Sequence, residues 1–148
     1  MVTARARRSQ FGRAGAGLLI ASPRVKWWLL FSGGGLGAML RFALATWVDQ
    51  RLGPPFPWGT VAVNLTGCFA VGLIATLADE GGWLSPHARL FLVPGVLGGF
   101  TTFSTFGLES WRAFAEGEPT VALGNLAASV LGGLVAVVAG VLAGRALA

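Results

Sequence analysis

The segment 98–106 holds the residue types that could do chemistry at membrane depth. It reads GGFTTFSTF, with two glycines, four hydroxyl side chains and three phenylalanines. A glycine pair weakens a helix, and backbone groups freed inside a membrane must be buried by protein or line a cavity. Hydroxyls and aromatic ring edges favour an anion, whereas released carbonyls favour a cation. The segment therefore predicts a broken helix and an ion or substrate site.

Four further polar residues interrupt apolar stretches: Arg41, Asn64, Asn125 and Ser129. Arg41 either snorkels to the interface or attracts anions at the mouth of a pore. Asn64 either bonds a neighbouring helix or donates to an anion. Asn125 and Ser129 share a helix face, so they either pack helices or form a donor track. We expect the charge within the spans to be positive, with no embedded carboxylate, which suits an anion path.

Three other features have simpler interpretations. His87 has no second His or Cys at metal-ligand spacing and is expected in a loop, and the single cysteine, Cys68, is expected to pack on an apolar helix. Gly33 and Gly35 superficially match a dinucleotide-binding turn, but more apolar chain follows them, so close helix packing is the better interpretation. No feature points to an enzyme.

The elements that must position these residues are membrane-spanning helices. The chain has 148 residues, is 54% hydrophobic and 11% charged, and has a mean hydropathy of +0.69. Spans are predicted at 27–48, 58–78, 90–111 and 120–144, each close to the roughly 20 residues that cross a bilayer. Ser85 and Pro86 are placed to cap the third span. We expect one all-α integral membrane domain, 27–148, with its third helix broken near the middle.

Residues 1–26 are expected to form a basic, disordered N-terminal extension. They hold six of the eleven Lys and Arg residues, so the net charge of +5 indicates a membrane-proximal tail rather than a nucleic-acid surface. Both termini share one side, which then carries eight basic residues against two, and positive-inside bias makes that side cytoplasmic. Without the extension the count is two against two, and there is no bias.

Three motifs resemble those of the CrcB/Fluc family of small fluoride channels. They are GGGLGAMLRF at 33–42, GTVAVNLTG at 59–67 and GVLGGFTTFSTF at 95–106. Their order, spacing and span number agree with the family over roughly residues 27–145. The resemblance implies a passive fluoride channel in the cell inner membrane that exports fluoride and relieves its toxicity.

The same resemblance implies an antiparallel, dual-topology dimer with two pores at its interface. A structural sodium ion, which is not transported, would lie at the dimer centre on the carbonyls of Gly98 and Thr101. The implied ion-pathway residues are the phenylalanines Phe103 and Phe106, the amide of Asn64, the vestibule Arg41, the hydroxyls of Thr102 and Ser104, and Asn125 with Ser129 in the fourth span.

Two questions stay open at the level of sequence. The basic extension favours a fixed orientation and hence pairing with an oppositely oriented paralogue, whereas the balanced core favours a homodimer. Two other functions compete with a channel. A small proton-coupled multidrug exporter would need an embedded carboxylate. A non-transporting membrane assembly protein would explain the glycines but not the hydroxyl and phenylalanine segment.

Overall fold

The computed structural model describes residues 22–148, and within that range four helical segments are long and apolar enough to cross a membrane. We label the helices α1 (Pro23–Leu52), α2 (Trp58–Asp79), α3 (86–100), α4 (Phe103–Ala115) and α5 (Pro119–Leu147). Helices α3 and α4 together form the third span, Pro86–Ala115. The all-α class, the four spans and the interrupted third helix are therefore confirmed.

The helices extend beyond the predicted spans, most clearly α1 and the third span, which each gain four residues at both ends. Apolar runs mark only the part of a helix inside hydrocarbon, and the helix continues through the polar interface. Residues 1–21 of the predicted extension lie outside the described residues. Its last residues, 23–26, form the first turn of α1 and are therefore helical rather than disordered.

Local chemistry sets the start of α2 and of α3. The Ser85 hydroxyl accepts a hydrogen bond from the Ala88 N–H at 3.2 Å and Pro86 takes the first helical position, which confirms the predicted cap. His87 therefore lies in the first turn of α3 rather than in a loop, and it is exposed. At the start of α2, the Asp49 carboxylate accepts from the Gly59 N–H at 2.7 Å. That bond ties the end of α1 to α2.

Glycines let the helices approach closely. A Cβ on Gly33 would lie 2.7 Å from the Phe91 carbonyl oxygen, and one on Gly37 would lie 2.8 Å from the Phe100 backbone nitrogen. These contacts pack α1 onto α3 and confirm the packing interpretation of Gly33. On the other side of the bundle, a Cβ on Gly140 of α5 would lie 2.9 Å from the Leu73 nitrogen of α2.

The third span changes its packing partner at its interruption. Helix α3 packs on α1, whereas α4 packs mainly on the first part of α5, Pro119–Ala127. The remainder of α5 packs along α2. Two stretches are wound as π-helix, Phe91–Leu97 around Pro94 and Ala128–Gly132, and both lie beside the interruption. Proline cannot donate the regular helical bond, which accounts for the irregular winding of the first stretch.

Candidate functional site

The interruption of the third span consists of two extended residues. Thr101 has φ −78° and ψ 157°, and Thr102 has φ −147° and ψ 116°. Helix α4 restarts directly afterwards because the Thr102 hydroxyl oxygen accepts from the Thr105 N–H at 3.2 Å, as an N-cap does. The break thus falls inside the segment 98–106.

The break removes the carbonyls of residues 98–101 from the helical hydrogen-bond pattern, those of Gly98 and Thr101 among them. In an uninterrupted α-helix the Thr102 N–H would donate to Gly98 and the Thr105 N–H to Thr101. Here the Thr102 N–H donates to the Asn64 side chain and the Thr105 N–H to the Thr102 hydroxyl. The carbonyl oxygens of Gly98 and Thr101 therefore lose their regular donors. These are the two carbonyls on which the family resemblance implies a sodium ion.

Asn64 pairs with the backbone of the break from the neighbouring helix α2. Its Oδ1 accepts from the Thr102 N–H at 2.9 Å, and its Nδ2 donates to the Thr102 carbonyl at 3.0 Å. The interhelical role left open by the sequence is therefore observed. The side chain is half-buried and also lines the groove described below.

Most hydroxyls at the break have partners within the chain. The Thr101 hydroxyl donates to the Leu97 carbonyl at 3.0 Å, and the Thr102 hydroxyl donates to that of Thr105 at 2.9 Å. Thr102 is buried, whereas Ser104 is exposed and its hydroxyl lies 3.4 Å from that of Thr102. Of the two hydroxyls expected along an ion path, Ser104 is the accessible one in this protomer.

Phe103 and Phe106 contact each other but differ in exposure. Their ring centroids lie 5.4 Å apart with the planes tilted by 59°. Phe106 is 5% exposed, whereas Phe103 is 82% exposed. One ring therefore belongs to the packed interior of the protomer, and the other projects from its surface.

A groove of about 450 Å³ brings most of the predicted residues together. It is lined by residues from α2, α3, α4 and α5, among them Asn64, Gly98, Thr101, Thr102, Phe103, Phe106 and Ser129. Cys68 of α2 also lines it, and a Cβ on Gly133 of α5 would lie 3.4 Å from its Sγ. Arg41 lies outside the groove on α1, half-buried, and makes no ion pair or side-chain hydrogen bond with residues 22–148.

A chain of side-chain hydrogen bonds links the fourth span to α4. The Ser129 hydroxyl donates to Asn125 Oδ1 at 3.2 Å, and Asn125 Nδ2 donates to the Ser110 hydroxyl at 2.9 Å. Ser110 donates in turn to the Phe106 carbonyl at 2.8 Å. Asn125 is completely buried and does not line the groove, whereas Ser129 does. Sequence reasoning missed Ser110, whose position one helical turn after Phe106 was the available signal.

Glu109 corrects the expectation that no carboxylate is embedded in a span. It lies within the third span, and its Oε1 accepts from the Thr60 hydroxyl at 2.9 Å. Its Oε2 is buried and has no hydrogen-bond partner among the described residues. A carboxylate is tolerated here because Thr60 pairs with it and because the end of the helix, Ala115, is less than two turns away.

Comparison with known proteins identifies the family. The family model described as "CrcB-like protein, Camphor Resistance (CrcB)" matches residues 28–141, which include most of each span and the whole break. Three relatives are each named "Fluoride-specific ion channel FluC". The protein of Chloroflexus aurantiacus (strain ATCC 29366 / DSM 635 / J-10-fl) is 48% identical over 113 residues, 76% of this chain and 90% of that protein.

The second relative, from Rhizobium meliloti (strain 1021), is 43% identical over 119 residues, 80% of this chain and 95% of its own length. The third, from Agrobacterium fabrum (strain C58 / ATCC 33970), is 45% identical over 119 residues, 80% of this chain and 92% of its own. The matched region contains the motifs of the first three spans and the polar residues of the fourth. The chain therefore belongs to the CrcB family of multi-pass membrane proteins.

Proposed function

We propose that this chain is a passive, fluoride-selective channel that exports cytoplasmic fluoride and so relieves fluoride toxicity. The observation that carries the proposal is the break in the third span, where Thr102 and Phe103 line the groove and Ser104 is exposed beside them. Relatives at 43–48% identity that carry the name fluoride-specific ion channel support it. The membrane in question is the cell membrane, which the four spans cross.

The physics of the transported ion suits such a path. Fluoride is small and strongly hydrated, so a pore must replace its water with hydrogen-bond donors and positive ring edges. HF enters a cell by diffusion and dissociates at neutral cytoplasmic pH. The negative-inside potential then drives the trapped anion outwards, at about 2.3 kcal/mol per charge for each 100 mV. Export therefore needs no coupled reaction.

A dimer is part of the proposal because one protomer leaves the groove open. Four spans are few for enclosing a pore, and the ring of Phe103 is 82% exposed at the rim of the groove. A second subunit seated on this face would cover both the ring and the groove. We place it antiparallel, as the resemblance implies, so that each subunit presents the same face to the other.

The orientation of the partner depends on the basic extension. With it, basic residues favour the cytoplasm for both termini, and an oppositely oriented paralogue completes the dimer. If the extension does not influence the orientation, the two sides carry equal numbers of basic residues, and a homodimer of oppositely oriented copies is possible. Reporter fusions at the termini distinguish the two: signals of equal size on both sides of the membrane would rule out a fixed orientation.

We further propose that sodium binds at the dimer centre on the carbonyls of Gly98 and Thr101. Both carbonyls have lost their regular helical donors, and oxygen ligands suit a hard cation. Among residues 22–148, no group of three His, Cys, Asp or Glu side chains could hold a metal ion, so a backbone site fits the chemistry present. Sodium would neutralise these dipoles and hold the break in shape.

A proton-coupled exporter needs an embedded carboxylate, and Glu109 is such a group, so the absence of a carboxylate no longer excludes an exporter. Membership of the CrcB family is now the reason to prefer a channel. An exporter moves substrate only when protons move in exchange, whereas a channel passes fluoride at equal pH on both sides. Fluoride flux with no pH gradient therefore separates the two functions.

The first experiment is fluoride efflux from liposomes that contain this chain, followed with a fluoride electrode after a potassium ionophore has opened the counter-ion path. We expect rapid fluoride release at equal pH with chloride retained. Phe103→Ile should abolish release without preventing assembly, whereas Phe31→Ile, at an exposed ring of α1, is the matched control. If folded protein releases no fluoride, alone or co-expressed with a paralogue, the channel proposal fails.

A further inference from the structure

We propose that Asn125 is a positioning residue that sets the direction in which the Ser129 hydroxyl donates its hydrogen bond. The inference rests on the proposed channel function and adds a mechanism within it. Ser129 lines the groove, but its proton points away from it, to Asn125 Oδ1. In this state the hydroxyl presents only lone pairs to the groove, and lone pairs repel an anion.

The buried amide offers a way to reverse that direction. Asn125 lies between two hydroxyls, accepting from Ser129 at 3.2 Å and donating to Ser110 at 2.9 Å. The oxygen and the NH2 ends of an amide have nearly the same shape, so a half-turn of the side chain exchanges them without moving the helices. After the half-turn, Nδ2 donates to Ser129 and Oδ1 accepts from Ser110.

The hydrogen-bond count is the same in the two states. Before the turn, Ser129 donates to Asn125, Asn125 to Ser110, and Ser110 to the Phe106 carbonyl. After it, Ser110 donates to Asn125, Asn125 to Ser129, and Ser129 to the anion in the groove. No proton changes its heavy atom. Because the two states pair the same number of donors, the arrival of an acceptor in the groove is enough to select the second state.

Asn125 acts through Ser129 and not on the ion. It is 0% exposed and does not line the groove, so fluoride in the groove has no contact with it. A response of Asn125 to fluoride that depends on the Ser129 hydroxyl therefore reports the relay. The chain has only two asparagines, Asn64 and Asn125, which makes that response measurable.

The test is side-chain NMR of the full chain labelled with ¹⁵N-asparagine in nanodiscs, titrated with sodium fluoride. We expect the Asn125 side-chain amide signal, assigned by its loss in Asn125→Asp, to shift with fluoride and not with chloride. The shift should vanish in Ser129→Ala and persist in Ser32→Ala, a matched helical serine whose hydroxyl donates to the Trp28 carbonyl at 2.7 Å. An Asn125 signal that ignores fluoride, or still responds in Ser129→Ala, overturns the relay.

Flux measurements give a second test. In Asn125→Asp the carboxylate has two acceptors and no donor, so Ser129 and Ser110 both donate to it and the Ser129 proton is held away from the groove. We expect fluoride flux to fall at least about tenfold, the effect of losing one charge-assisted hydrogen bond.

The same substitution should add nothing in a Ser129→Ala background, because its effect passes through that hydroxyl. Additive losses would contradict the relay. Absence of flux from the unaltered protein would instead contradict the proposed channel function.

Discussion

The side chain of Asn64 forms a reciprocal pair of hydrogen bonds with the backbone of Thr102. One bond is accepted by Oδ1 at 2.9 Å and the other is donated by Nδ2 at 3.0 Å. The amide thereby satisfies the Thr102 N–H, which has no acceptor in either helix, and adds a second donor to the Thr102 carbonyl, which as the N-cap already accepts the first hydrogen bond of α4. In an uninterrupted helix the Thr102 N–H would instead donate to the Gly98 carbonyl. A single residue of α2 thus holds the third span open.

Replacement of Asn64 by leucine should destabilise the protein and stop fluoride flux. The N–H of the largely buried Thr102 would lose its partner, at about 1–3 kcal/mol, and the Thr102 carbonyl would keep only its donor within α4. Thermal unfolding followed by tryptophan fluorescence measures the first effect and liposome efflux the second. Asn64→Asp is the informative comparison, because it keeps the acceptor and removes the donor. Wild-type stability in Asn64→Leu would show that water replaces both bonds.

Phe103 and Phe106 should differ in what their removal does. Phe106 is 5% exposed, so Phe106→Ala should lower the free energy of unfolding by about 3 kcal/mol. Phe103 is 82% exposed, so Phe103→Ala should affect the protomer less and flux severely. Unfolding and efflux of the two variants, measured side by side, provide the check. A larger stability loss from Phe103→Ala than from Phe106→Ala would contradict the packing described here.

The glycines of α1 allow a paired test of helix approach. In Gly37→Ala the new Cβ would overlap the backbone of Val96 and Phe100, which cannot move aside as a side chain could, and the free energy of unfolding should fall by about 1–3 kcal/mol.

Gly35→Ala adds the same atom on the same helix, where no other atom lies within 4 Å. It should be neutral or slightly stabilising, since alanine favours a helix. Equal unfolding midpoints in Gly37→Ala and Gly35→Ala would show that the close contact between α1 and α3 does not stabilise the protein.

Replacement of sodium by N-methylglucamine at constant ionic strength should lower the unfolding midpoint of the purified protein. A ligand present at 100 times its dissociation constant stabilises the folded state by about 2.7 kcal/mol, and that contribution disappears with the ion. Potassium is the matched control for a cation of equal charge and larger radius. A midpoint independent of the cation would argue against a site on the carbonyls of Gly98 and Thr101.

Several interactions could not be read from the chain because they join helices that are distant in sequence. Thr60 and Glu109 are 49 residues apart, and Asn64 and Thr102 are 38 apart. Such pairs depend on the rotation and depth of one helix against another. Glu109 is different, because it already lies inside the predicted span 90–111, so the expected absence of an embedded carboxylate was wrong on the sequence itself. A helix tolerates a charge near its end when a neighbouring helix supplies a donor.

The sequence by itself determined the number of spans, the position of the break, the cap at Ser85 and the resemblance to the family, since these follow from local composition, glycines and hydroxyls. Only the tertiary structure decided which donors the break loses, that Phe106 is packed while Phe103 projects, and that Ser110 joins Asn125 to the Phe106 carbonyl. Local preferences act along one helix, whereas hydrogen-bond pairing and burial are decided by how four helices meet.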